Sequence, residues 1–475
     1  MKRLISCVLA LLYVMAGFAS GTWILHGKEY RVDTLYHAYI GPGTTQTSIK
    51  LAGPVNLRVF YTTTDLKNEN VDVRAIKHKD TLTGLGTVSN AAESHSTSNR
   101  SYFAGINADF FSSSMPCGIT VVDGEVYCSD QASGWSLFGI DANKIPYSGG
   151  GDFYVKLTAP DYSTAELSAM NLERETNGLV LYSSRKGANT GTDGNGSEVV
   201  LIPDGEGNFL TPGATVRMRV QGNPNHAGSM PILDNGYILS GSGTKESFVS
   251  NLSEGDVVEV RCAIRFNGFT GGKIQQALGG CPMLVSGGKV LDTENALDHL
   301  TSAQPRTAVG YNAEKNKLVM LVADGRSSIS VGPISKVLAD IMIYAGCSEA
   351  MNFDGGGSST FYVKGEGVIN QPSDGSERSV TDGLYLSTDA PQNDVTITTI
   401  RFMDYAKTLN QGDAYTPVIY GYNQYGVLVD RNVEGVTLSC GSSLGTITND
   451  GTTLNASGSG THMLTAGYGN LTTTL

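Results

Sequence analysis

The sequence predicts an α+β fold in which a strand-rich, mixed α/β domain is followed by a C-terminal all-β sandwich of immunoglobulin type. Charged residues make up 16% of the 475 residues and glycine occurs 59 times, a composition typical of turn-rich, strand-rich exported proteins. Residues 334–345 show a helical pattern between two apolar strands, and the composition changes after Leu386. A chain of this length exceeds what one core usually organises, so we expect at least two domains.

The N-terminus has the pattern of a secretory signal. Lys2 and Arg3 precede an apolar stretch and then small residues, with cleavage expected after Ala19. The apolar stretch is shorter than the roughly 20 residues needed to cross a bilayer. We therefore predict that residues 1–19 are a signal peptide and that the mature chain is periplasmic, cell-surface or secreted, without a transmembrane segment.

Net charge disfavours one class of partner. The formal net charge of −12 argues against nucleic acid, because binding to a phosphate backbone needs a basic face. The cysteines beyond the signal are scattered, and no Cys-x-x-Cys pair indicates a zinc site. Composition therefore favours neither a nucleic-acid-binding protein nor a zinc protein.

Cys117 and Cys128 bracket a predicted β-hairpin. The hairpin is expected to turn at Asp123-Gly124, a dipeptide favoured in two-residue turns. In this register Cys128 faces Ile119, so the two cysteines are diagonal neighbours. A disulfide between them would lie near its geometric limit.

Two early segments predict strands. Val55–Lys79 alternates apolar and polar residues on either side of a turn, which predicts two strands. The polar stretch 81–99 predicts a loop. Phe103–Phe111 predicts a strand that carries Asn107 and Asp109 at alternate positions on one face. The alternative is that these two polar residues cap a strand end at a turn, where both residue types are common.

A strand, helix, strand unit follows later in the chain. Leu318–Ala323 is a continuous apolar strand, Ile334–Ala345 repeats apolar residues at helical spacing, and Ala350–Phe353 is a second short strand. Asp324 follows the first strand and Asp354 the second. Open α/β sheets assemble their sites at such strand ends.

The remaining segments show no chemistry of their own. Residues 150–270 contain short strands and turns and are interpreted as scaffold. The segment 390–475 is rich in Thr and Gly and is expected to be a bacterial immunoglobulin-like module without a catalytic role. Its predicted strands are Ile397–Phe402, Thr416–Tyr422 and Gly435–Ser439.

The sharpest motif is the block Asp354-Gly-Gly-Gly-Ser-Ser-Thr360. Three successive glycines let the backbone approach a ligand closely, and the hydroxyls that follow can donate to anionic oxygens. No Walker spacing or lysine accompanies the block, and the alternative is a flexible turn between strands. The position of Asp354 directly after a buried strand favours a phosphate-binding role.

Two arginines lie in motifs of their own. Arg306 precedes an apolar strand, and Arg378 follows a polar turn that starts at Asn370. Arginine binds phosphate through two parallel hydrogen bonds and keeps its charge in a partly dry site. Either arginine alone is, as the alternative, a member of a surface ion pair.

Together these motifs resemble the phosphodiester glycosidase family, which includes the uncovering enzyme. The resemblance runs in order from about Gly41 to Leu386. Ala108 and Phe353 depart from the expected Gly and Leu, and Ala339-Asp340 departs from Glu-Leu, which bears on fine specificity. The motifs are Asn107-Ala-Asp-Phe-Phe, Pro305-Arg-Thr-Ala-Val-Gly, Val322-Ala-Asp-Gly-Arg, Asn352-Phe-Asp-Gly-Gly-Gly-Ser-Ser-Thr and Asn370-Gln-Pro-Ser-Asp-Gly-Ser-Glu-Arg.

The resemblance implies hydrolysis of the glycosyl–phosphate bond of a sugar 1-phosphodiester. The expected partner is a glycan or sugar-phosphate substrate, either of the N-acetylglucosamine-phosphate-sugar type or a surface glycopolymer. A phosphate monoester leaves readily as an anion, so charge stabilisation by arginine matters more than strong general acid help. A carboxylate is still needed, and Asp354, Asp324 and Asp109 are the candidates for nucleophile, base or sugar-hydroxyl ligand. The expected substrate-binding residues are Asn107, Arg306, Arg326, Gly355, Gly356, Gly357, Ser358, Ser359, Thr360, Asn370 and Arg378.

Two alternatives stay open at this point. The sequence requires no cofactor, but the same three carboxylates are also suitable ligands for Ca²⁺ or Mg²⁺. A protein of another class, a non-catalytic carbohydrate-binding or cell-surface adhesion protein, would use the same cleft with the C-terminal module as a spacer.

The expected division is a signal peptide at residues 1–19, a catalytic domain at 20–389 and the immunoglobulin-like sandwich at 390–475.

Overall fold

The computed structural model describes residues 21–475 except 131–134, 206–208, 268, 271 and 294–300. The predicted signal peptide, residues 1–19, lies outside the described residues. Strands dominate the described chain and helices are few, as the composition predicted. The described α-helices are α1 (Val88–His95), α2 (Glu246–Ser250) and α3 (Ser335–Tyr344), and 3₁₀ turns occur at Ser184–Lys186, Gly243–Lys245 and Gly356–Ser358.

The strands are numbered in chain order. The first part of the described chain contains β1 (Gly21–Leu25), β2 (Lys28–Gly41), β3 (Thr44–Ala52), β4 (Asn56–Asp65), β5 (Asp72–Lys77), β6 (Ser101–Asn107), β7 (Phe111–Ser112), β8 (Met115–Pro116), β9 (Thr120–Val122), β10 (Glu125–Cys128), β11 (Ser136–Asp141), β12 (Pro146–Thr158), β13 (Thr164–Glu166), β14 (Ala169–Met170), β15 (Leu179–Tyr182), β16 (Ser197–Pro203), β17 (Thr215–Asn225), β18 (Tyr237–Gly241), β19 (Val257–Phe266) and β20 (Phe269–Thr270). The second part contains β21 (Ile274–Gly280), β22 (Met283–Ser286), β23 (Lys289–Val290), β24 (Arg306–Tyr311), β25 (Lys317–Ala323), β26 (Glu349–Asn352), β27 (Phe361–Val363), β28 (Gly367–Val368), β29 (Asp382–Thr388), β30 (Thr399–Phe402), β31 (Ala414–Tyr415), β32 (Ile419–Tyr422), β33 (Leu428–Asp430), β34 (Thr437–Cys440), β35 (Gly445–Thr448), β36 (Thr453–Ala456), β37 (Leu464–Tyr468) and β38 (Leu471–Thr474).

Nine of the described strands form a sheet with the order β1-β2-β3-β4-β25-β24-β26-β22-β23. β24 lies between β25 and β26 and is antiparallel to both, so β25 and β26 run parallel and end at the same edge. Helix α3 connects them. The predicted strand, helix, strand unit is therefore present, and Asp324 and Asp354 both follow strands that end at this edge.

Both faces of this sheet are buried. Along β25, Leu318, Met320 and Val322 face one core, while Val319 and Leu321 face another. Helix α3 covers the second core, and a five-stranded sheet of order β28-β27-β6-β29-β5 covers the first. Burial on both faces explains why β25 is a continuous apolar run.

A third, larger sheet has the path β10-β9-β21-β11-β12-β19-β17-β16-β18-β15-β14 among the described strands. It has its own core, which includes Leu157, Leu181, Met218 and Val260. Most of its strands come from residues 150–270, the segment interpreted as scaffold. β21 lies outside that segment, and its residue Gly279 reaches the candidate site.

The predicted loop at residues 81–99 is wrong in its centre, where helix α1 forms. The hydroxyl of Thr87 accepts a hydrogen bond from the backbone N–H of Asn90, which caps the helix N-terminus. The helix presents a narrow apolar stripe to the core, made of Val88, Ala91 and Ala92. Three small or branched apolar residues in a polar segment give a helical periodicity that is too weak to predict the helix from the sequence.

Two strand predictions need adjustment. β4 and β5 lie in Val55–Lys79 as predicted, but they belong to different sheets. The strand predicted over Phe103–Phe111 ends at Asn107, because the next backbone N–H groups bond to Asp382 instead of extending the ladder. Asn107 therefore lies at a strand end and Asp109 beyond it, which is the alternative that the sequence left open.

The cysteine hairpin forms with one change of register. β9 and β10 turn at Asp123-Gly124, and both residues have positive φ, 50° and 84°. A bulge in β10 places Cys128 opposite Thr120 and not opposite Ile119. The six cysteines in the described part of the chain are free thiols.

Residues 390–475 contain three three-stranded sheets, β30-β32-β33, β31-β36-β35 and β34-β37-β38, around a core of their own. The immunoglobulin type of this segment stays a prediction. The segment contacts the preceding chain: the hydroxyl of Tyr422 donates to the carbonyl oxygen of Tyr39 at 2.9 Å, and Tyr420 packs with Ala38. Within the described residues, no helix has the length and apolar composition needed to cross a bilayer.

Candidate active site

Asn107 joins three separate parts of the chain at the end of β6. Its Nδ2 donates to the carbonyl oxygen of Asp354 at 2.7 Å. Its Oδ1 accepts from the hydroxyl of Thr307 at 2.8 Å and from the backbone N–H of Thr360 at 3.1 Å. The side chain is fully buried, so its polar atoms are committed to the protein. These hydrogen bonds hold the glycine block against β6 and β24, and the role of Asn107 as a substrate ligand stays a prediction.

Asp109 forms a buried carboxylate pair with Asp382, a residue that the sequence analysis did not identify. The backbone N–H of Asp109 donates to Asp382 Oδ1 at 2.9 Å. Burial raises the pKa of Asp109 well above its usual value, and the negative charge of Asp382 raises it further. Burial also raises the pKa of Asp382, against the opposing effect of Lys77. Both carboxyls of the pair therefore have a higher pKa than an exposed aspartate.

Lys77 and Asp382 are direct cross-strand partners in β5 and β29. Lys77 is buried, and its Nζ donates to the carbonyl oxygen of Thr381 at 3.1 Å. Burial lowers the pKa of Lys77, while the charge of Asp382 opposes that effect. The only signal for Asp382 in the sequence is its position at the start of an apolar strand.

Two glycines hold the Asp109 carboxylate between backbone segments. The backbone N–H of Gly118 donates to Asp109 Oδ2 at 2.9 Å. A Cβ added to Gly118 would lie 2.8 Å from this oxygen, and one added to Gly279, in β21, would lie 2.7 Å from it. Any side chain at either position would displace the carboxylate.

Asp354 lies directly after β26, and its backbone N–H donates to the carbonyl oxygen of Ala108 at 2.8 Å. Burial raises the pKa of its carboxyl to about 6, against the opposing effects of the Ser358 hydroxyl and the Arg378 charge. The negative charge of Asp382 adds to the increase. A carboxyl with this pKa exchanges its proton near neutral pH, which suits general acid or base chemistry.

Asp324 lies at the same sheet edge but apart from the other carboxylates. Its Oδ1 accepts from the backbone N–H of Gln371 at 2.8 Å and from Asn370 Nδ2 at 3.4 Å. Asn370 also donates to the carbonyl oxygen of Ser359 at 3.0 Å and accepts from the backbone N–H of Phe361 at 2.7 Å. Burial raises the pKa of Asp324. The structure thus gives Asp324 and Asn370 a role in holding the glycine block.

The three glycines of the block are each approached by one arginine. A Cβ on Gly355 would lie 3.8 Å from Cδ of Arg306, and one on Gly356 would lie 2.9 Å from Nη2 of Arg326. A Cβ on Gly357 would collide with Nη2 of Arg378. A guanidinium group excludes a side chain at Gly356 and at Gly357, whereas at Gly355 the nearest atom to an added Cβ is the carbonyl oxygen of Pro305, at 2.7 Å. The pairs are Gly355 with Arg306, Gly356 with Arg326, and Gly357 with Arg378.

Arg306 and Arg378 differ in burial and in partners. Arg306 is 2% exposed, and burial lowers its pKa to about 10, with the charge of Arg326 acting in the same direction. Its Nη2 donates to the carbonyl oxygen of Ser302 at 2.5 Å, and no carboxylate among the described residues forms an ion pair with it. Arg378 is exposed and binds Asp374 through Nε and Nη2, at 2.9 and 2.6 Å.

The hydroxyls of the block are buried. Ser358 hydrogen bonds to the Asp354 carboxylate and accepts from Arg378 Nη1 at 3.3 Å. Ser359 Oγ and Thr360 Oγ1 are buried without a hydrogen-bond partner among the described residues. Within the same residues, no group of three or more His, Cys, Asp or Glu side chains is arranged to hold a metal ion.

Residues 212–387 match the family model described as phosphodiester glycosidase. The resemblance predicted from the motifs is confirmed. The matched segment contains Asp324, Asp354, Asp382 and the three arginines, while Asn107 and Asp109 precede it. The family match therefore covers the glycine block and most of the residues around it.

Similarity to individual proteins is more limited. The chain is 40% identical over 88 residues to the SPbeta prophage-derived uncharacterized protein YomE of Bacillus subtilis (strain 168), a stretch that covers 18% of this chain and 13% of YomE. A solved structure of a candidate exported protein from Burkholderia pseudomallei K96243 aligns with a TM-score of 0.57 and 18% identity, over 78% of this chain and 98% of that one. A hypothetical protein from Synechocystis aligns with a TM-score of 0.56 and 15% identity, over 73% of this chain and 62% of that one. At these identities the two structures show a shared fold alone.

Proposed function

We propose that this chain is an exported phosphodiester glycosidase that hydrolyses the glycosyl–phosphate bond of a sugar 1-phosphodiester. The observation that carries the proposal is Arg306, a buried guanidinium with no carboxylate partner among the described residues, whose side-chain stem lies beside Gly355, the residue after Asp354. A buried charge is costly unless it is paired, so this position favours an anionic ligand. The family match of residues 212–387 supports the same reaction class.

The proposed roles of the three arginines follow from their charges and their partners. Arg306, with Arg326 on the neighbouring glycine, binds the phosphodiester anion and stabilises the phosphate monoester as it leaves. Arg378 contributes less, because Asp374 already neutralises it. The backbone of Gly355–Gly357 allows the phosphate to approach closely.

The carboxylates are proposed to act at the anomeric carbon. Asp354, with a pKa of about 6, is ionised at neutral pH and takes a proton from water. The water oxygen bonds to the anomeric carbon while the carbon–oxygen bond to phosphate breaks and its electron pair leaves with the phosphate. Burial raises the pKa of Asp109 well above its usual value, and its Oδ1 has no hydrogen-bond partner among the described residues, so we assign Asp109 to a sugar hydroxyl.

Turnover tests the proposal directly. A p-nitrophenyl or glycerol diester of N-acetylglucosamine 1-phosphate should be cleaved, with release of the free sugar and the phosphate monoester. A neutral p-nitrophenyl glycoside of the same sugar should be a much poorer substrate, because it offers Arg306 no anion. Saturable binding of the diester without any turnover would instead support the non-catalytic carbohydrate-binding alternative.

Export is part of the proposal and has its own test. The predicted signal at residues 1–19 supports it, as does the description of the Burkholderia pseudomallei protein as a candidate exported protein. N-terminal sequencing of the protein recovered outside the cytoplasm should give a chain that begins at Ser20. Recovery of the uncleaved chain in the cytoplasm alone would contradict export.

A further inference from the structure

We propose that Phe110 and Trp135 form the surface that binds the sugar ring. The two rings are in edge-to-face contact, with centroids 4.9 Å apart and planes at 66°. Both residues are half-buried, so neither ring belongs to a closed core. The inference rests on the proposed function and assigns the part of the site that the arginines leave unexplained.

Both aromatic residues are fixed next to Asp109 by the backbone. Phe110 follows Asp109 directly. Trp135 immediately precedes Ser136, which pairs with Gly280 across β11 and β21. The neighbouring Gly279 packs against the Asp109 carboxylate, where an added Cβ would lie 2.7 Å from Oδ2. Two distant stretches of chain therefore each bring an aromatic residue to the backbone that surrounds one buried carboxylate.

The chemistry of this rim differs from that of the glycine block. A pyranose ring has hydroxyls at its edge and C–H groups on its faces, so its faces pack on aromatic rings while its hydroxyls bond to polar groups. An aromatic pair on chain segments next to the Asp109 carboxyl offers both kinds of contact. Asp109 also lies close enough to Asp354 for their charges to interact. We therefore assign the aromatic pair to the sugar side of the proposed reaction centre and the arginines to its phosphate side.

Tryptophan fluorescence gives a direct test of sugar binding. The chain has two tryptophans, and Trp23 is 8% exposed and stacked on Tyr344 with centroids 4.6 Å apart. Free N-acetylglucosamine should therefore change the emission of Trp135, whereas inorganic phosphate should not. Trp135→Phe should abolish the change and Trp23→Phe should keep it. No sugar-dependent change, or a change that survives Trp135→Phe, would overturn the inference.

Kinetics separate a sugar-binding role from a structural one. Trp135→Ala should raise the KM for the sugar phosphodiester by about tenfold or more, as expected for loss of a buried aromatic contact. Trp135→Phe should recover part of this loss, and both variants should keep the wild-type Tm. The matched control is Tyr162→Ala, because Tyr162 is an aromatic residue that is 87% exposed. An unchanged KM in a folded Trp135→Ala variant would overturn the inference.

The inference and the proposed function fail in different ways. If the wild-type protein cleaves the diester and Trp135→Ala cleaves it with the same KM, the function stands and the aromatic surface is wrong. If the wild-type protein cleaves no sugar phosphodiester but N-acetylglucosamine still changes Trp135 emission, the sugar surface stands and the reaction is wrong.

Discussion

The side-chain amide of Asn107 donates a hydrogen bond to the carbonyl oxygen of Asp354 at 2.7 Å. Through this bond the end of β6 fixes the backbone from which the proposed base projects. The other end of the same amide accepts from Thr307 and Thr360, so the position of Asp354 is determined by three elements at once. The Asp354 carboxylate is then free to change its charge without a change of backbone position.

Asp354→Asn should lower kcat by several orders of magnitude and leave Tm nearly unchanged. The change keeps the shape of the side chain and removes the charge that acts at the anomeric carbon. Thermal unfolding and steady-state kinetics on one purified variant measure both quantities. Asn107→Ala is the matched control for the structural role: it leaves buried groups without partners and should cost about 1–3 kcal/mol of stability for each unsatisfied group. Retained turnover in Asp354→Asn would remove Asp354 from the mechanism.

The pKa of Asp354 predicts a pH dependence for both activity and stability. Because the base must be ionised, kcat/KM should fall as the pH drops through about 6. The folded-state pKa is raised above the usual value, so the folded protein binds this proton more tightly than the unfolded chain. The contribution of this group to the free energy of unfolding therefore decreases as pH rises toward about 6 and is constant above it.

Asp354→Asn should remove this component of the stability profile. Denaturant unfolding of the wild type and the variant from pH 4 to pH 8 measures the difference. At pH 7 the variant should be at least as stable as the wild type, since burying a neutral amide costs less than burying a carboxylate. A variant that is less stable at pH 7 would show that the Asp354 charge holds the fold together.

Arg306 and Arg378 should respond differently to the same substitution. Arg306→Ala is expected to cost about 2–5 kcal/mol in transition-state binding, because its charge is desolvated. Arg378→Ala is expected to cost under about 1 kcal/mol, because its guanidinium is exposed and already paired with Asp374. The values of kcat/KM for the phosphodiester and for a neutral aryl glycoside measure the two effects. An equal loss on the neutral substrate would rule out a phosphate-binding role for Arg306.

Much of the sheet around the site was predictable, because its signals are local. The unit of β25, α3 and β26 follows from apolar periodicity, and it places Asp324 and Asp354 at one sheet edge. The glycine block follows from its composition. Helix α1 was missed because its apolar stripe spans only one turn.

The rest of the site depends on contacts between distant residues. Asp109 and Asp382 are 273 positions apart and meet only because β6 pairs with β29. The arginines were identified as anion ligands, but their order along the glycines is a result of tertiary packing. The sequence also does not distinguish buried Arg306 from exposed Arg378, since burial depends on what the rest of the chain places over each residue.

Gly357→Ala should reduce activity through Arg378 and Asp374, because the added Cβ meets these two side chains and not the carboxylate of Asp354. An added Cβ at this position would collide with Nη2 of Arg378 and with the Asp374 carboxylate. The guanidinium must then move away from Ser358, which hydrogen bonds to Asp354. We expect a higher KM for the phosphodiester and a smaller effect on kcat. The control is Gly441→Ala: like Gly357, Gly441 does not have positive φ, and an added Cβ there meets nothing closer than the Ser443 hydroxyl at 3.6 Å.

A chain that ends at Asp389 should keep its kcat on a small phosphodiester, because every proposed site residue precedes that position. It should nevertheless melt at a lower temperature than the full chain. Removing residues 390–475 takes away the hydrogen bond from Tyr422 to the carbonyl oxygen of Tyr39 and uncovers apolar surface around Ala38. The ion pair between Arg100 and Asp389 stays, since the shortened chain retains both residues.

Two measurements decide what the C-terminal segment does. Steady-state kinetics on the shortened chain test catalysis, and thermal unfolding tests support of the fold. Arg431→Ala in the full chain is the matched control, because it breaks the 2.7 Å ion pair with Glu366 while leaving the segment in place, and it should reproduce a small part of the loss in Tm. If the shortened chain stays folded but no longer cleaves the small substrate, residues 390–475 contribute to the active site and the proposed division at residue 389 is wrong.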